Sequence, residues 1–406
     1  MSQGRIGLAE YLTGVLAAIT PLRPLDLALH DAHGGVLAEP VISAGALPPF
    51  DAAAVDGYAV RADDLAGATP EEPVRLSVVG DVTASSWRPS RVSPGACFSV
   101  AAGAPMPAGA DAVVPVGWTD AGMVAIEVAH VPQRGAFVRR TGAELGAGDV
   151  VAPAGAHVGS ALVGLLAAAG ADHVVVRPRP RVVVVSTGDE LVETGRTGAP
   201  GQVVDANSHS LAAAAVEAGA QAYRVGITPD EPDALRAVLD DQLIRADLVV
   251  TTGGTGTGPG DMVRRTLGRE GVGFTDLSVY PTETLGFGCV RDERTAVVCL
   301  PGDPAAAIIG FEVLARPVLR RLAGAEPVYR PAVKANLLGA VDSPRGLREF
   351  RPARVAERRG GGYTVEALAP GLTGLAEANG LVVLGERVDT APAGSTVDVL
   401  LFDRRR

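Results

Sequence analysis

The chain has 406 residues, of which 47% are hydrophobic and 20% are charged, a composition typical of a compact globular protein. This length exceeds the size at which one hydrophobic core keeps growing, so we expect roughly two to four domains. The net charge of −10 argues against nucleic-acid binding, because a phosphate backbone needs lysine and arginine to displace its counterions.

The cysteines and the apolar runs bear on the cellular compartment. Cys97, Cys289 and Cys299 are scattered without the spacing of metal ligands, and an odd count with no framework fits a reducing cytosol. The N-terminus lacks a basic segment followed by an apolar one, and no apolar run reaches the length that spans a bilayer. We therefore expect a cytoplasmic protein without membrane insertion.

The predicted secondary structure of the first part of the chain changes twice, from helix to strand and back to helix. Apolar spacing predicts a helix at 6–19, and a second short helix is predicted at 30–38. Short β-type runs separated by glycine, proline and aspartate then indicate a strand-rich module. A helix at 159–169 and a strand at 173–177 follow that module. The predicted strands of the module are 58–60, 74–80, 97–100, 112–116 and 124–131.

Strands and helices alternate between residues 181 and 321. The predicted strands are 182–185, 221–227, 248–252 and 297–300, and the predicted helices are 208–218, 231–244, 262–269 and 305–322. Such alternation predicts a parallel sheet covered by helices on both faces. The fold class is therefore multidomain α/β. The predicted domains are 1–46 with 143–179, an inserted β-rich module at 47–142, the α/β domain at 180–325, and a C-terminal β domain at 326–406.

A glycine-rich turn that ends a strand carries the clearest chemical signal. Residues 249–261 read Val-Val-Thr-Thr-Gly-Gly-Thr-Gly-Thr-Gly-Pro-Gly-Asp. Glycines allow backbone N–H groups to approach a ligand closely, and the start of the following helix adds partial positive charge, so the turn suits a phosphate. Asp261 is interpreted either as the N-cap of that helix or as a ligand for a metal ion or proton. The alternative is a plain glycine-rich turn.

Two other turns should lie at the same edge of the sheet, because ligands collect at the carboxyl ends of parallel strands. One is Ser-Thr-Gly-Asp-Glu-Leu at 186–191, and the other is Leu-Pro-Gly-Asp-Pro at 300–304. Asn207 and Ser208 open the next helix and are interpreted as parts of the crevice, while Asp205 and Asn207 are interpreted equally well as ordinary caps. The residues expected to bind a ligand here are Thr187, Gly188, Asp189, Asn207, Ser208, Gly253, Gly254, Thr255, Gly256, Thr257, Gly258, Pro301, Gly302 and Asp303.

These three turns, in this order, resemble the MoeA family and the gephyrin E domain, where the motifs read S-T-G-D-E-L, G-G-[TV]-[SG]-x-G-x-x-D and L-P-G-N-P. The segment 47–61, LPPFDAAAVDGYAVR, resembles the family motif PPFDNSAMDGYAVR. The segment 103–114, GAPMPAGADAVV, resembles TGAPxPxGADAVV. The resemblance spans about residues 5–322, and it implies a parallel-sheet domain similar to MoaB and MogA, a small α/β N-terminal domain and the two β modules.

Members of this family hydrolyse adenylylated molybdopterin and insert molybdate into its dithiolene, which yields molybdenum cofactor and AMP. The resemblance implies a homodimer whose active cleft lies between the α/β domain of one chain and the β module of the other. By motif position it assigns catalysis to Asp56, Glu190, Asp230 and Asp261, with Glu190, Asp230 and Asp261 as Mg²⁺ ligands. It assigns the terminal phosphate of the pterin to the turn 253–258.

The sequence departs from the family at several positions. Tyr-Pro-Thr-Glu-Thr at 280–284 stands where the family has the basic motif K-P-G-K-P, and Glu283 is expected to place negative charge where an anion binds. Other family residues are replaced by Ala52, Ala53, Ala102, Glu144, Asp303 and Ala306. Two hypotheses follow: a molybdopterin molybdenumtransferase, or a scaffold similar to gephyrin that binds a cytoskeletal or receptor protein. Handling of another oxyanion is a third option.

Overall fold

The computed structural model describes residues 5–86, 88–258, 261–290 and 295–402. The chain divides into two compact units. One unit runs to residue 25, includes 34–36 and resumes at 176; the other comprises 26–33 and 37–175. Within the described residues, no helix is long and apolar enough to cross a membrane.

The elements up to residue 177 include the β-rich module. Two short 3₁₀ turns, Ala62–Leu65 and Val116–Trp118, also occur here. The elements are α1 (Leu8–Ala17), β1 (Leu25–Ala28), β2 (Val36–Leu37), β3 (Val41–Ile42), β4 (Ala52–Ala53), β5 (Gly57–Val60), β6 (Val74–Val82), β7 (Ala96–Val100), β8 (Ala112–Pro115), β9 (Ala125–Val128), β10 (Val138–Arg139), β11 (Val150–Ala152), α2 (Ser160–Ala168) and β12 (His173–Arg177).

The predicted strands of the module are confirmed with small shifts of their ends. They form a five-stranded sheet in the order β8-β5-β7-β6-β9. The inward side chains Tyr58, Leu76, Cys97, Val114 and Ile126 pack into one buried cluster on this sheet. Along β6, Leu76 and Val82 are buried while Arg75, Ser77 and Asp81 are exposed, as expected for side chains that alternate between the two faces of a sheet.

The predicted helix at 30–38 is wrong. The chain forms a turn there and then β2, which joins β1 and β12 in a three-stranded sheet in the order β1-β12-β2. Gly34 adopts φ +83°, and a Cβ at this position would lie 2.8 Å from Cδ of Arg179. A helix of so few residues, interrupted by a glycine that the turn requires, has too little stability to compete with strand pairing.

The α/β part begins after β12. Its elements are β13 (Arg181–Ser186), β14 (Leu191–Val192), β15 (Val203–Val204), α3 (Asn207–Glu217), β16 (Gln221–Arg224), α4 (Pro232–Gln242), β17 (Leu248–Thr252), α5 (Met262–Leu267), β18 (Gly273–Asp276), β19 (Val279–Tyr280), β20 (Thr284–Val290), β21 (Thr295–Leu300), α6 (Pro304–Gly310), a π-helical turn (Phe311–Ala315) and α7 (Arg316–Leu322).

The central sheet has the order β16-β13-β17-β21-β20-β18. The first four strands are parallel, as predicted, and every residue of β17 and β21 is buried. The antiparallel strands β20 and β18 were not predicted. Gly286 and Gly288 interrupt the apolar pattern of β20, yet a Cβ at Gly286 would lie 2.8 Å from both Cβ of Cys299 and Cε1 of Phe274. Close packing therefore requires glycine inside this strand.

Helices cover the sheet and share its core. Leu8, Leu12 and Val15 of α1 pack into the same buried cluster as residues of β13, α3 and α7. The predicted helix at 305–322 is confirmed as α6, the π-helical turn and α7 in succession. Because both faces of the sheet are covered, the strand ends are the places where its backbone is accessible to a ligand.

The C-terminal part is built mainly from strands. They form a sheet in the order β19-β24-β25-β22-β28-β26, and β26 also pairs with β24, so the strands close on themselves. β19 is contributed by the α/β part and pairs parallel to β24, with Tyr280 opposite Glu349. The elements are β22 (Ala332–Leu337), β23 (Val341–Asp342), β24 (Arg348–Glu357), β25 (Tyr363–Ala367), α8 (Leu372–Glu377), β26 (Gly380–Leu384), β27 (Thr390–Ala391) and β28 (Thr396–Leu401).

Replacement of Gly57 by alanine tests the packing of the β-rich module. An added Cβ would collide with the carbonyl of Val114 on the neighbouring strand, whose carbon would lie at 2.9 Å. We expect Gly57→Ala to lower the free energy of unfolding by about 1–3 kcal/mol, the usual cost of overpacking. The control Gly117→Ala has no heavy atom within 4 Å of the added Cβ. Urea denaturation with equal midpoints for the two variants would contradict this packing.

Candidate ligand site at the strand ends

Three neighbouring parallel strands end at one edge of the central sheet. Ser186 of β13 lies opposite Thr252 of β17, and Thr252 lies opposite Leu300 of β21. The three predicted turns begin immediately after these residues. The structure thus brings them to a single edge, as the alternation of strands and helices predicted.

Asn207 connects the turn after β17 with the turn after β21. Its Nδ2 donates hydrogen bonds to Oγ1 of Thr252 at 2.9 Å and to the carbonyl oxygen of Gly302 at 2.8 Å. Thr252 in turn donates to the carbonyl oxygen of Pro301 at 2.8 Å. Oδ1 of Asn207 is buried and has no partner among the described residues. Because an unpaired buried acceptor costs about 1–3 kcal/mol, this oxygen marks a position for a donor on a ligand.

Thr228 supplies a second such group. It pairs with Thr187 in an isolated parallel bridge, and its carbonyl oxygen accepts a hydrogen bond from the N–H of Gly188 at 3.2 Å. The Thr228 side chain is buried, and its Oγ1 has no partner within the described part of the chain. Thr228 and Thr252 were not predicted as site residues from the sequence. A threonine that ends or follows a strand at the ligand edge is the sequence signal that could have identified them.

Asp205 and Ser208 have structural roles. The buried carboxylate of Asp205 accepts hydrogen bonds from Oγ of Ser186 at 2.9 Å, from the N–H of Ser208 at 3.0 Å and from Oγ of Ser208 at 2.5 Å. Arg224 donates from Nε to Oγ of Ser208 at 2.8 Å. Asp205 therefore caps the first turn of α3, one of its two interpretations, while the hydroxyl of Ser208 is engaged on both sides.

The glycine turn holds the carboxylate of Asp261. Oδ1 accepts from the N–H of Gly256 at 2.8 Å, and Oδ2 accepts from the N–H of Gly258 at 2.5 Å. Asp261 precedes α5 but makes no side-chain capping bond to it, so its interpretation as a cap of that helix is wrong. An anion that used these two N–H groups would have to displace the carboxylate. Residues 259 and 260 lie outside the described residues.

The other glycines of the turn are required by the backbone. Gly253 and Gly254 adopt φ +97° and φ +62°. A Cβ at Gly253 would also lie 2.6 Å from the carbonyl oxygen of Thr187, which belongs to the neighbouring turn. Thr255 is buried and Thr257 is exposed. The dense glycine pattern therefore reflects both the left-handed backbone and the close approach of two turns.

Four carboxylates lie near one another beside these turns. Oδ1 of Asp189 accepts from the N–H of Asp230 at 3.1 Å. Burial raises the pKa of Asp230, and the charges of Asp189, Glu190 and Asp261 raise it further, although a backbone hydrogen bond from Asp189 opposes them. Among the described residues, no group of three or more His, Cys, Asp or Glu side chains is arranged to hold a metal ion by itself.

Glu190 owes its position to a glycine. A Cβ at Gly188 would lie 2.5 Å from Oε2 of Glu190 and 2.8 Å from its carboxyl carbon. Glycine at this position therefore lets the carboxylate fold back over the turn. The sequence motif Thr-Gly-Asp-Glu thus combines a close approach of backbone to side chain with two acids at the end of a strand.

Asp56 lies in the β-rich module, where its Oδ1 accepts from the N–H of Ala102 at 2.7 Å. The contact is made by the backbone, so the alanine found here in place of the family threonine preserves it. Asp51 in the same motif accepts from Nη1 of Arg140 at 2.7 Å and from the N–H of Thr141 at 2.8 Å. The hydrogen bond from the backbone of Thr141, followed by that from Arg140, lowers the pKa of Asp51.

The segment Tyr280–Thr284 does not place free negative charge at the site. The carboxylate of Glu283 forms an ion pair with Arg5, and both side chains are partly exposed. Hydration and pairing screen such a charge, so the electrostatic penalty expected for a dry site does not arise. The expectation that Glu283 opposes an anion stays a prediction, and the structure adds that Arg5, distant in sequence, pairs with this carboxylate.

Asp303 stands where the family motif has asparagine, and it caps a helix. Its Oδ1 accepts from the N–H of Ala306 at 2.8 Å and caps α6. Aspartate and asparagine are about equally good at such a position, and the negative charge interacts favourably with the helix N-terminus. The change from L-P-G-N-P to L-P-G-D-P therefore preserves the turn.

Models of known families match most of the chain. The MoeA N-terminal region (domain I and II) matches residues 6–170, a probable molybdopterin binding domain matches residues 183–321, and the MoeA C-terminal region (domain IV) matches residues 334–402. The middle match contains all three strand-end turns, and the first contains Asp56.

Curated relatives and solved structures agree with these matches. Molybdopterin molybdenumtransferase 1 of Mycobacterium tuberculosis is 38% identical over 407 residues, which cover 94% of this chain and 95% of that one. Molybdopterin molybdenumtransferase 2 of the same organism is 38% identical, with coverage of 96% and 98%. The crystal structure of a molybdopterin biosynthesis MoeA protein from Pyrococcus horikoshii has a TM-score of 0.78 and 28% identity, with coverage of 99% and 100%.

Asp230→Asn tests the crowding of carboxylates. A carboxyl group whose pKa is raised on folding destabilises the folded protein as pH rises from the unfolded value, about 3.9, through the folded one. We therefore expect Asp230→Asn to raise the melting temperature at pH 7 without divalent cations, and the difference to vanish at about pH 3.

Thermal unfolding across this pH range provides the measurement. Asp81→Asn removes the same charge at an exposed position and serves as the control. Equal melting temperatures for Asp230→Asn and Asp81→Asn at pH 7 would show that Asp230 carries no special repulsion.

Proposed function

Since the chain belongs to the MoeA family, we propose that it is a molybdopterin molybdenumtransferase, which releases AMP from adenylylated molybdopterin and inserts molybdate into the dithiolene. The observation that carries this proposal is the meeting of three strand-end turns beside Asn207 and the acids Glu190 and Asp230. The relatives are named as transferases, so the alternative of a scaffold similar to gephyrin finds no support in them.

The turns supply groups suited to a phosphorylated ligand. Backbone N–H groups and the threonine hydroxyls at 187, 228, 255 and 257 are donors that phosphate oxygens accept. Asn207 has an unpaired Oδ1, which accepts from a hydroxyl or N–H of the ligand. We propose that the phosphate end of the substrate lies over the glycine turn and displaces Asp261 from Gly256 and Gly258.

Glu190 and Asp230 fit a magnesium ion that the substrate helps to bind. Mg²⁺ is commonly held by one or two carboxylates together with substrate phosphates, so a complete protein cage is not required. The raised pKa of Asp230 reflects burial and neighbouring negative charge, which a cation would offset. Asp261, once released from the turn, is the third proposed ligand. When bound, Mg²⁺ neutralises phosphate charge and promotes attack by water.

Asp230 is proposed as the general base for hydrolysis of the phosphoanhydride. It takes a proton from the attacking water while a new oxygen–phosphorus bond forms and the bond to the leaving phosphate breaks. A carboxylate accepts a proton from a water within hydrogen-bond reach, which is the chemistry that this role requires. Asp189 holds the backbone of Asp230 through its N–H and so positions the base.

The oligomeric state and the cellular location are also proposals. We infer a homodimer, as the resemblance implies, in which Asp56 from the β module of one chain acts with the acids of the other. We infer a cytoplasmic location, which the odd number of cysteines without a disulfide framework supports.

Release of AMP tests the proposed reaction. The wild-type protein, supplied with adenylylated molybdopterin, Mg²⁺ and molybdate, should release AMP, and Asp230→Asn should lower the rate at least about 100-fold because it removes the base. Asp81→Asn should keep the wild-type rate. Chromatography of released AMP provides the measurement, and a wild-type protein that binds the pterin but never releases AMP would contradict the proposal.

Mixing of two inactive variants tests the shared cleft. Asp56→Asn and Asp230→Asn homodimers should each be inactive, whereas a mixed dimer should carry one intact cleft of two. An equal mixture after random exchange, in which about half of the dimers are mixed, should therefore restore about a quarter of the wild-type rate. Light scattering should give about twice the chain mass of 41.2 kDa. A monomeric mass, or no recovery after verified exchange of chains, would contradict the shared cleft.

A further inference from the structure

Three residues with rings, Trp118, His130 and Phe137, form an aromatic cluster on the surface of the β-rich module. The rings of Trp118 and Phe137 meet edge to face with their centroids 5.5 Å apart, and the ring of His130 lies 5.3 Å from that of Trp118. Trp118 is 36% exposed and Phe137 is 38% exposed. The chain has only two tryptophans, so neighbouring exposed rings differ from the single apolar side chains that are scattered over most surfaces.

Phe137 holds an unfavourable backbone conformation. Its φ is +54°, in the left-handed region, where the Cβ of a residue other than glycine crowds the backbone. Asparagine and glycine tolerate that region better than a bulky aromatic residue does. Because Phe137 stays partly exposed, its packing offsets this cost only in part. Backbone outliers of this kind are concentrated at sites that bind ligands.

The aromatic cluster adjoins the segment that carries Asp56. The carbonyl oxygen of Phe137 accepts a hydrogen bond from the N–H of Ala54 at 2.8 Å. Val116 begins the 3₁₀ turn that ends at Trp118, and its N–H donates to the carbonyl oxygen of Asp56 at 3.4 Å. Asp56 itself is exposed. A ligand that reaches Asp56 therefore approaches the cluster as well.

The charged residues next to the cluster are paired. Two arginines follow Phe137 in the chain. Arg139 forms an ion pair with Glu144. Arg140 forms an ion pair with Asp51. Since these cations are engaged by carboxylates, the cluster offers ring faces to a ligand, which suits a flat base better than a phosphate.

We propose that the aromatic cluster stacks on the adenine of the adenylylated substrate. Every nucleic-acid base has a π-face, and stacking on an aromatic side chain requires no fixed pattern of donors and acceptors. The phosphate of the pterin is then left to the strand-end turns, and the phosphoanhydride lies between the two ends of the substrate. This inference rests on the proposed function, because it assigns the nucleotide end of the same substrate in the proposed shared cleft.

Binding of AMP and of adenosine to the full-length chain tests the assignment, and isothermal titration calorimetry measures both affinities. Trp118→Ala removes the larger ring, and we expect it to weaken the binding of each ligand at least about fivefold. The two factors should agree, because adenosine has the same base and no phosphate. Trp118→Phe keeps a ring and should bind both ligands within about threefold of the wild type.

Val79→Ala is the matched control. Val79 is another exposed apolar residue of the β-rich module, in β6, and its replacement should leave both affinities unchanged. Phe137→Asn provides a second variant if Trp118→Ala fails to fold. Asparagine tolerates the left-handed backbone, so this variant keeps the turn while it removes a ring, and it should also weaken the binding of AMP and adenosine.

Three results would overturn the assignment. The first is a wild-type protein that binds neither AMP nor adenosine at millimolar concentrations, and the second is an unchanged affinity of Trp118→Ala for both. The third is a Trp118→Ala variant that loses affinity for AMP but not for adenosine, because the phosphate would then be responsible. If Trp118→Ala instead lowers the mass found by light scattering and leaves AMP affinity unchanged, the cluster is a contact between two copies of the chain.

The two proposals fail in different ways. If the protein binds AMP through Trp118 but never releases AMP from adenylylated molybdopterin, the proposed reaction is wrong and the adenine site stands. If AMP is released and Trp118→Ala leaves both KM and AMP affinity unchanged, the adenine site is wrong and the reaction stands.

Discussion

The amide of Asn207 is the constraint on which the site depends. By donating to Thr252 and to the carbonyl oxygen of Gly302, it holds the ends of β17 and β21 against the start of α3. Asp205 does the same for β13 through Ser186 and Ser208. Parallel pairing sets the strands side by side, but these buried hydrogen bonds hold the turns beyond the strands. The crevice is consequently formed before any ligand arrives.

Repulsion among negatively charged side chains is the second property that determines how the site binds a ligand. Asp230 and the three acids near it repel one another, and Asp261 accepts hydrogen bonds from backbone N–H groups that suit a phosphate equally well. A phosphate of the ligand would replace Asp261 on the backbone N–H groups, and a cation would screen the repulsion among the acids. Strain of this kind at a crevice is common where binding or catalysis has to be favoured. The departures from the family leave this arrangement in place, since Asp303 and Ala102 make their contacts through a retained cap and the backbone.

The sequence predicted the strand ends well and the long-range contacts poorly. Apolar runs such as 182–185 and 248–252 specify buried strands, and the turn residues after them specify the ligand edge. The hydrogen bond of Asn207 to Gly302 and the ion pair of Arg5 with Glu283 join residues far apart in sequence. β20 was not predicted, and the requirement for glycine at position 286 comes from close packing, which has no local signal in the sequence. The short helix predicted at 30–38 failed because strand pairing outweighed weak local propensity.

A crystal structure of the protein with adenylylated molybdopterin and Mg²⁺ would show whether the strand-end turns hold the substrate. We expect the phosphates over the turns after β13, β17 and β21, the carboxylate of Asp261 displaced from Gly256 and Gly258, and a ligand donor on Oδ1 of Asn207. A ligand bound elsewhere, with Asp261 still seated in the glycine turn and Asn207 unchanged, would contradict it.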